Sequence, residues 1–522
     1  MVHANSSPDE IVTDLCIIGA GPAGITIARE LSGSGIQVCL LDSGGRDIIR
    51  RTQRQNRGES TGHPLHTLRQ ARIRAFGGTL RHPRLVEGGW AARPLDPIDF
   101  EHRADVPESG WPFGHEHLRP FYARAERACA LPRHHVTDTW VAADDSALEP
   151  TAFQFSYITF ADTFDDLTAS PNVRLMPRCR VAEISADAQR RRVERIVAVR
   201  DDRSRVVVRP RFVVLAAGGI ENARLLLAAD GGRGIGNDHD MVGRYFADRL
   251  ALPVGYVVPP DAASASGATY FARHGNVSGA VRMTDDVQRG RGLLNSLFYL
   301  VPRPLAVTTP AVRSLSILRK AATRRPLALG LRDHLSNIVT GPGDIARFVL
   351  GSVTSDSRAL VLRAQSEQTP NRDSRVTLGS RRDDLGMPQA RVTWRFSATD
   401  HESIRAATGI VAAELRSRGF GALQRISDSD PAALVEGTNH HHMGATRMHA
   451  DPRDGVVDAD QRVHSMANLY IAGCSVFPTY GASNPTLTIV ALSLRLADHL
   501  RDVLRQRDDA GAGQGRDSRK HA

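Results

Sequence analysis

Thiols are scarce in this chain. Five cysteines (Cys16, Cys39, Cys129, Cys179 and Cys474) are spread over 522 residues with no C-x-x-C pair. An odd, scattered set excludes a disulfide framework, a thiolate zinc site and an iron–sulfur run, and it suits a reducing compartment. Lysine is scarcer still. Lys320 and Lys520 are the only two among 67 basic residues, which exceed 57 acids to leave a net charge of +10. The surplus is therefore arginine, dispersed along the chain, with aromatic residues at only 5%. Without basic blocks interleaved with aromatics, no nucleic-acid partner is expected. No apolar stretch reaches the roughly 18 residues of a membrane helix, so no membrane span is expected. Met1 to Asp14 lacks the charged-then-apolar order of a signal peptide, and a cytoplasmic location is expected.

What is present begins at Asp14. Asp14-Leu15-Cys16-Ile17-Ile18 is a short apolar run, followed by Gly19-Ala20-Gly21-Pro22-Ala23-Gly24. Helical spacing follows over Ile25 to Leu31, then a second buried strand, Ile36 to Leu41, ending in Asp42. Strand, glycine turn, helix, strand and acid is the order of a dinucleotide-binding unit. Gly19 permits the tight turn, Gly21 lets backbone approach a pyrophosphate, and Gly24 lets helix and strand pack closely. Asp42 is placed to accept from ribose hydroxyls. Between Asn172 and Gly219 short alternating runs predict strands at 173–176, 180–184, 193–199 and 206–215. The last runs into Gly218-Gly219-Ile220-Glu221-Asn222-Ala223-Arg224 and a helix. Sheet is predicted over Tyr270 to Val301 and Ser374 to Trp394, a helix over Ile404 to Ser417, and arginine-rich helix from Pro302 to Ser352.

The C-terminal part carries a second constellation. His440-His441-His442 precedes Met443-Gly444-Ala445-Thr446-Arg447-Met448. Adjacent residues on extended chain point to alternating faces, so the three histidines do not form a ligand set, and no metal is expected. Downstream, a strand at Leu469 to Ala472 ends in Gly473. Asn484 then caps, and Pro485 opens, a long helix through Leu504. After Asp508 the low apolar content predicts a disordered tail.

Taken together these segments resemble the glucose–methanol–choline (GMC) oxidoreductases. The matching pieces are the first glycine motif, Gly218 to Arg224, His441-x-x-Gly444-x-x-Arg447-Met448 and Asn484-Pro485-Thr486-Leu487-Thr488. Arg93-Pro94-Leu95-Asp96-Pro97 and Ser374-Arg375-Val376 complete the set. The flavour is that of the bacterial branch similar to pyranose oxidases and sugar dehydrogenases. The resemblance implies an α/β fold. A Rossmann-like FAD-binding domain, parallel sheet plus β-meander, would be assembled from 1–100, 172–250 and 436–508. A discontinuous α+β substrate domain would comprise 101–171 and 251–435, with 509–522 as the tail. It implies FAD contacts at Gly19, Gly21, Gly24, Asp42, Gly78, Val181, Gly218, Gly473, Asn484 and Thr486, and a catalytic pair, His441 and Asn484.

One segment departs from the family. Relatives follow Gly-Gly-Thr with Ser-x-His-Trp-Gly-Gly, whereas Gly77-Gly78-Thr79 is followed here by Leu80-Arg81-His82-Pro83 and a spacing about five residues longer. His82 falls where pyranose oxidases place a flavin-linking histidine, but Pro83 replaces the tryptophan. Non-covalent FAD is the expectation, with a link through His82 as the alternative. The implied activity is oxidation of an alcohol on a sugar-like or amino-sugar substrate of the aminoglycoside type. Oxygen or another acceptor would take the electrons. A non-redox lyase of the hydroxynitrile-lyase type and a flavin-binding scaffold are the competing readings, and the oligomeric state is left open.

Overall fold

The computed structural model describes residues 9–63, 68–131, 146–260, 267–304, 358–426 and 440–517, with isolated helical positions between 314 and 346. Most of the arginine-rich segment from Pro302 to Ser352 lies outside the described residues. The first strand, Asp9–Ile18, begins five residues earlier than the run from Asp14 suggests, because Asp9 to Thr13 pair with Val206 to Pro210. It lies between Val38–Leu41 and Arg205–Leu215, parallel to both. Val173–Met176 extends the parallel sheet on one side and Leu469–Ile471 on the other. The long strand Arg205–Leu215 serves twice. Its C-terminal end joins the parallel set, while its N-terminal end pairs antiparallel with Val193–Arg200, which pairs in turn with Cys179–Ala186. A parallel sheet carrying a β-meander results. The parallel strands read as continuous apolar runs because both faces are covered.

The other large sheet is antiparallel. Leu250–Val257, Arg358–Ser366, Ser296–Pro304, Val277–Met283, Leu148–Ser156 and Trp90–Ala92 lie side by side in that order. A third, three-stranded sheet joins Arg375–Arg382, Pro388–Trp394 and Gly58–Gly62.

Three pieces cross the domain boundary expected from the sequence. The hairpin Arg375–Trp394 pairs with Gly58–Gly62 and packs on helix Gly219–Ala228, so it sits with the nucleotide-binding sheet. Trp90–Ala92 belongs to the antiparallel sheet. Helix His115–Ala128 lies along the C-terminal helix, where Arg124 pairs with Asp498 and Glu30. That C-terminal helix runs from Pro485 to Asp517, into the segment whose composition predicts disorder. A helix that is already nucleated extends at little cost even through residues of low apolar content. No helix among the described residues is long and apolar enough to cross a membrane.

Candidate active site

Three neighbouring parallel strands end in glycine at the same edge of the sheet. The bare backbone of Gly21, Gly218 and Gly473 faces open space, and a Cβ built on any of them meets nothing within 4 Å. Gly19 and Gly24 differ. A Cβ on Gly19 would lie 2.6 Å from the carbonyl oxygen of Ala216, and one on Gly24 would lie 2.0 Å from that of Gly19. Two glycines therefore let the chain pack, and three leave a cradle open. The cradle lies at the carboxyl ends of the strands, where open α/β sheets take their ligands. Helices Pro22–Glu30 and Gly219–Ala228 start there without a side-chain cap, leaving N–H groups and positive dipole for an anion. Gly78, at φ +64°, lies over this turn, since a Cβ there would be 3.1 Å from Cα of Gly21. The N–H of Gly77 donates to the carbonyl of Ala20 at 2.8 Å and holds that cover down.

Asp42 is buried at the end of the second strand. Its carboxylate accepts from the backbone N–H of Ala20 (2.8 Å) and of Gly44 (2.7 Å). Burial pushes its pKa up, against these two hydrogen bonds and the nearby Arg74. A carboxylate offers about four lone-pair sites, so two remain for hydroxyls. Val181 is half-buried beside a bulge in the meander. Thr486 sits buried in the first turn of the C-terminal helix.

The three histidines diverge. The His440 ring stacks on His82 at 5.9 Å, and its Nδ1 lies 3.1 Å from the carbonyl of Ala71. His442 is buried against Phe246 at 5.8 Å. Its carbonyl abuts Gly219 so closely that a Cβ there would approach to 1.9 Å. Half-buried His441 lies between them. Its backbone N–H donates to Oδ1 of Asp248 (3.1 Å), which also accepts from the N–H of Arg249 (2.8 Å). Burial, with the Arg249 guanidinium next and the flanking histidines adding, holds the His441 imidazole well below the usual histidine range. It is neutral at pH 7 and able to accept a proton.

Asn484 is tied to the surroundings of His441 through a neighbouring backbone carbonyl. The carbonyl of Ala482 accepts from Nη1 of Arg249 (3.2 Å) and Nε2 of Gln365 (2.8 Å). Gln365 Nε2 also donates to Oδ1 of Asn484 (3.3 Å), which leaves the Asn484 amide N–H groups as donors. One carbonyl thus links the arginine beside His441 to the glutamine beside Asn484. Burial lowers the pKa of Arg249 to about 10, so it remains a cation at neutral pH. Arg249, Asp248 and Gln365 carry no local motif, and sequence reasoning missed all three. Only their reach across the fold makes them part of the site.

The departing segment forms a turn at Gly78–Arg81 and a short helix, Pro83–Gly88. Its far end is fastened to the antiparallel sheet. Arg273 donates to the carbonyl of Gly88 (2.6 Å) and lies over the Phe155 ring at 3.8 Å.

A glycine cradle at the carboxyl ends of a parallel sheet, with the carbonyl of His442 packed on Gly219 and a neutral His441 beside it, suits a dinucleotide cofactor such as FAD. Residues 370–493 match the family model described as GMC oxidoreductase, and residues 12–73 match one described as FAD binding domain. Paromamine 6'-oxidase of Streptomyces fradiae is 24% identical over 94% of this chain and 91% of its own. The fructose dehydrogenase large subunit of Gluconobacter japonicus is 25% identical over 96% of this chain and 100% of its own. Pyridoxine 4-oxidase from Mesorbium loti superposes with a TM-score of 0.56 at 16% identity, over 93% of this chain and 99% of its own. Two segments of the chain thus match GMC oxidoreductase and FAD-binding models, and the chain is an FAD enzyme that oxidises alcohols.

Proposed function

We propose that the enzyme oxidises a CH–OH group of a sugar or amino sugar to a carbonyl, with His441 as the base and Asn484 as the hydrogen-bond donor to the reacting oxygen. The observation that carries this reading is the link Arg249–Ala482–Gln365, which joins a neutral imidazole to an amide whose donors are free to act. The base takes the hydroxyl proton, and positioned bases of this kind contribute about 10²–10⁴-fold. The amide N–H of Asn484 and the helix beginning at Pro485 favour negative charge on the alcohol oxygen as that proton leaves. Bound FAD supplies the acceptor for the hydride. Gly21, Gly218 and Gly473 would take its backbone contacts, Gly78 would cover it, and Asp42 would accept from its ribose. Val181 and Thr486 complete the assigned contacts. The sugar-type substrate rests on the named relatives, paromamine 6'-oxidase and fructose dehydrogenase.

An anaerobic panel tests this reading. Neutral sugars, glycosides and aminoglycosides are added separately to the yellow enzyme, and absorbance of the oxidised flavin is followed. Bleaching by members of the panel is expected. An unbleached flavin across the panel, with cyanohydrin cleavage in its place, would make the protein a lyase. Oxygen uptake during turnover then separates an oxidase from a dehydrogenase that uses another acceptor.

A further inference from the structure

The loop from Thr479 to Asn484 is held at each residue by a group from elsewhere in the chain. The hydroxyl of Thr479 accepts from the N–H of Gly110 (2.6 Å), and that of Tyr480 donates to the carbonyl of Tyr245 (2.7 Å). Gly481 packs on the buried carboxyl of Asp99, which a Cβ would approach to 2.4 Å. Ala482 and Asn484 are bonded to Gln365 as described. Ser483 has a partner of another kind: its Oγ accepts from Nη1 of Arg93 (2.8 Å) and donates to the carbonyl of Pro94 (2.7 Å).

We propose that Arg93 and Ser483 form a clamp that sets where the Asn484 amide stands, and that both are positioning residues for alcohol oxidation. The inference rests on the role proposed above for Asn484. Arg93 is itself immobilised. Its Nε donates to Oγ1 of Thr151 (2.8 Å), and both terminal nitrogens engage the carboxylate of Asp96. Asp96 is fixed in turn by Nδ2 of Asn295 (2.8 Å), which also donates to Asp99 (2.8 Å). The Arg93–Asp96 pair is complete without Ser483, so the bond to Ser483 adds no charge balance. What it adds is a rigid reference one residue before Asn484. The planar fork holds three directions at once, which a lysine ammonium does not reproduce. Reacting groups tolerate little displacement, since a shift of about 1 Å costs about 10²-fold in rate.

The test uses FAD-loaded enzyme and a substrate from the bleaching panel. Ser483→Ala removes one hydroxyl and leaves the Arg93–Asp96 pair in place. The rate of anaerobic flavin reduction at saturating substrate is expected to fall on the order of tenfold to a hundredfold. FAD content, the visible spectrum and the substrate concentration for half-saturation should stay near wild type. Ser483→Ala/Asn484→Ala should reduce no more slowly than Asn484→Ala alone, because a clamp with nothing to position has no effect. A wild-type rate in Ser483→Ala beside a slow Asn484→Ala overturns the clamp and leaves the role of Asn484 standing, as does a full additional loss in the double variant. A wild-type rate in Asn484→Ala overturns the role of Asn484 and the clamp with it.

Discussion

The surroundings of His441 are what suit it to the proposed role of base. An exposed imidazole would be about half protonated near pH 6.5. Here burial, then Arg249, depresses its affinity for a proton. The acid limb of anaerobic flavin reduction against pH is therefore expected below the ordinary histidine range, with the rate lost only as pH falls through that lowered value. Arg249→Met removes the cation and should move the limb upward, toward about 6.5. An unmoved limb in that variant would mean that Arg249 does not tune the base. His441 and Asn484 stood out as candidates because each sits in a contiguous run with its own spacing. Arg249 and Gln365 did not, since they lie 233 and 117 residues from the carbonyl they share. Nothing in the local sequence of either residue records that meeting.

The glycines act on their elements in two opposed ways, and substitution separates them. Gly21 has an ordinary φ of −88° and open space beyond it. Gly21→Ala should thus fold with near-normal melting temperature while losing FAD retention, measured as flavin released on gel filtration. Gly219 begins a helix pressed against the carbonyl of His442, and Gly219→Ala forces the two backbones apart. Overpacking of that kind costs about 1–3 kcal/mol, so a lower melting temperature is the expected readout. If Gly21→Ala retained FAD fully, the cradle would be misplaced. The strand–turn–helix units were readable because both periodicity and turn chemistry are local. The position of hairpin Arg375–Trp394 was not, because its partner strand Gly58–Gly62 lies more than 300 residues earlier with little apolar pattern. The segment after Gly78 announced itself only as a departure. The structure makes it a short helix fastened by Arg273.

For the molecule as a whole, a minority of the arginines tie the fold together from inside, Arg103, Arg224, Arg249, Arg282 and Arg447 being buried. Glu221 is buried among Arg72, Arg74 and Arg224, and Asp383 meets Arg224 from the hairpin. Arg103 pairs with fully buried Glu367, the residue that follows strand Arg358–Ser366. Burial likewise keeps both His441 and His442 well below the usual histidine pKa in the folded state. The unfolded chain binds protons at these two positions below about pH 6.5 while the native state does not, so stability falls as pH drops through that region. Denaturant midpoints at pH 7.5 and 5.5 should show the loss, and a His442→Phe variant should lose less. Equal midpoints would contradict neutral burial of this pair. The central claim, proton abstraction by His441 in an FAD alcohol oxidoreductase, has one direct test. Stopped-flow reduction of the flavin by a substrate of the panel, without oxygen, is compared between wild type and His441→Ala at equal FAD content. A loss of about 10²–10⁴-fold with FAD still bound is predicted. Reduction at a near wild-type rate would contradict the account.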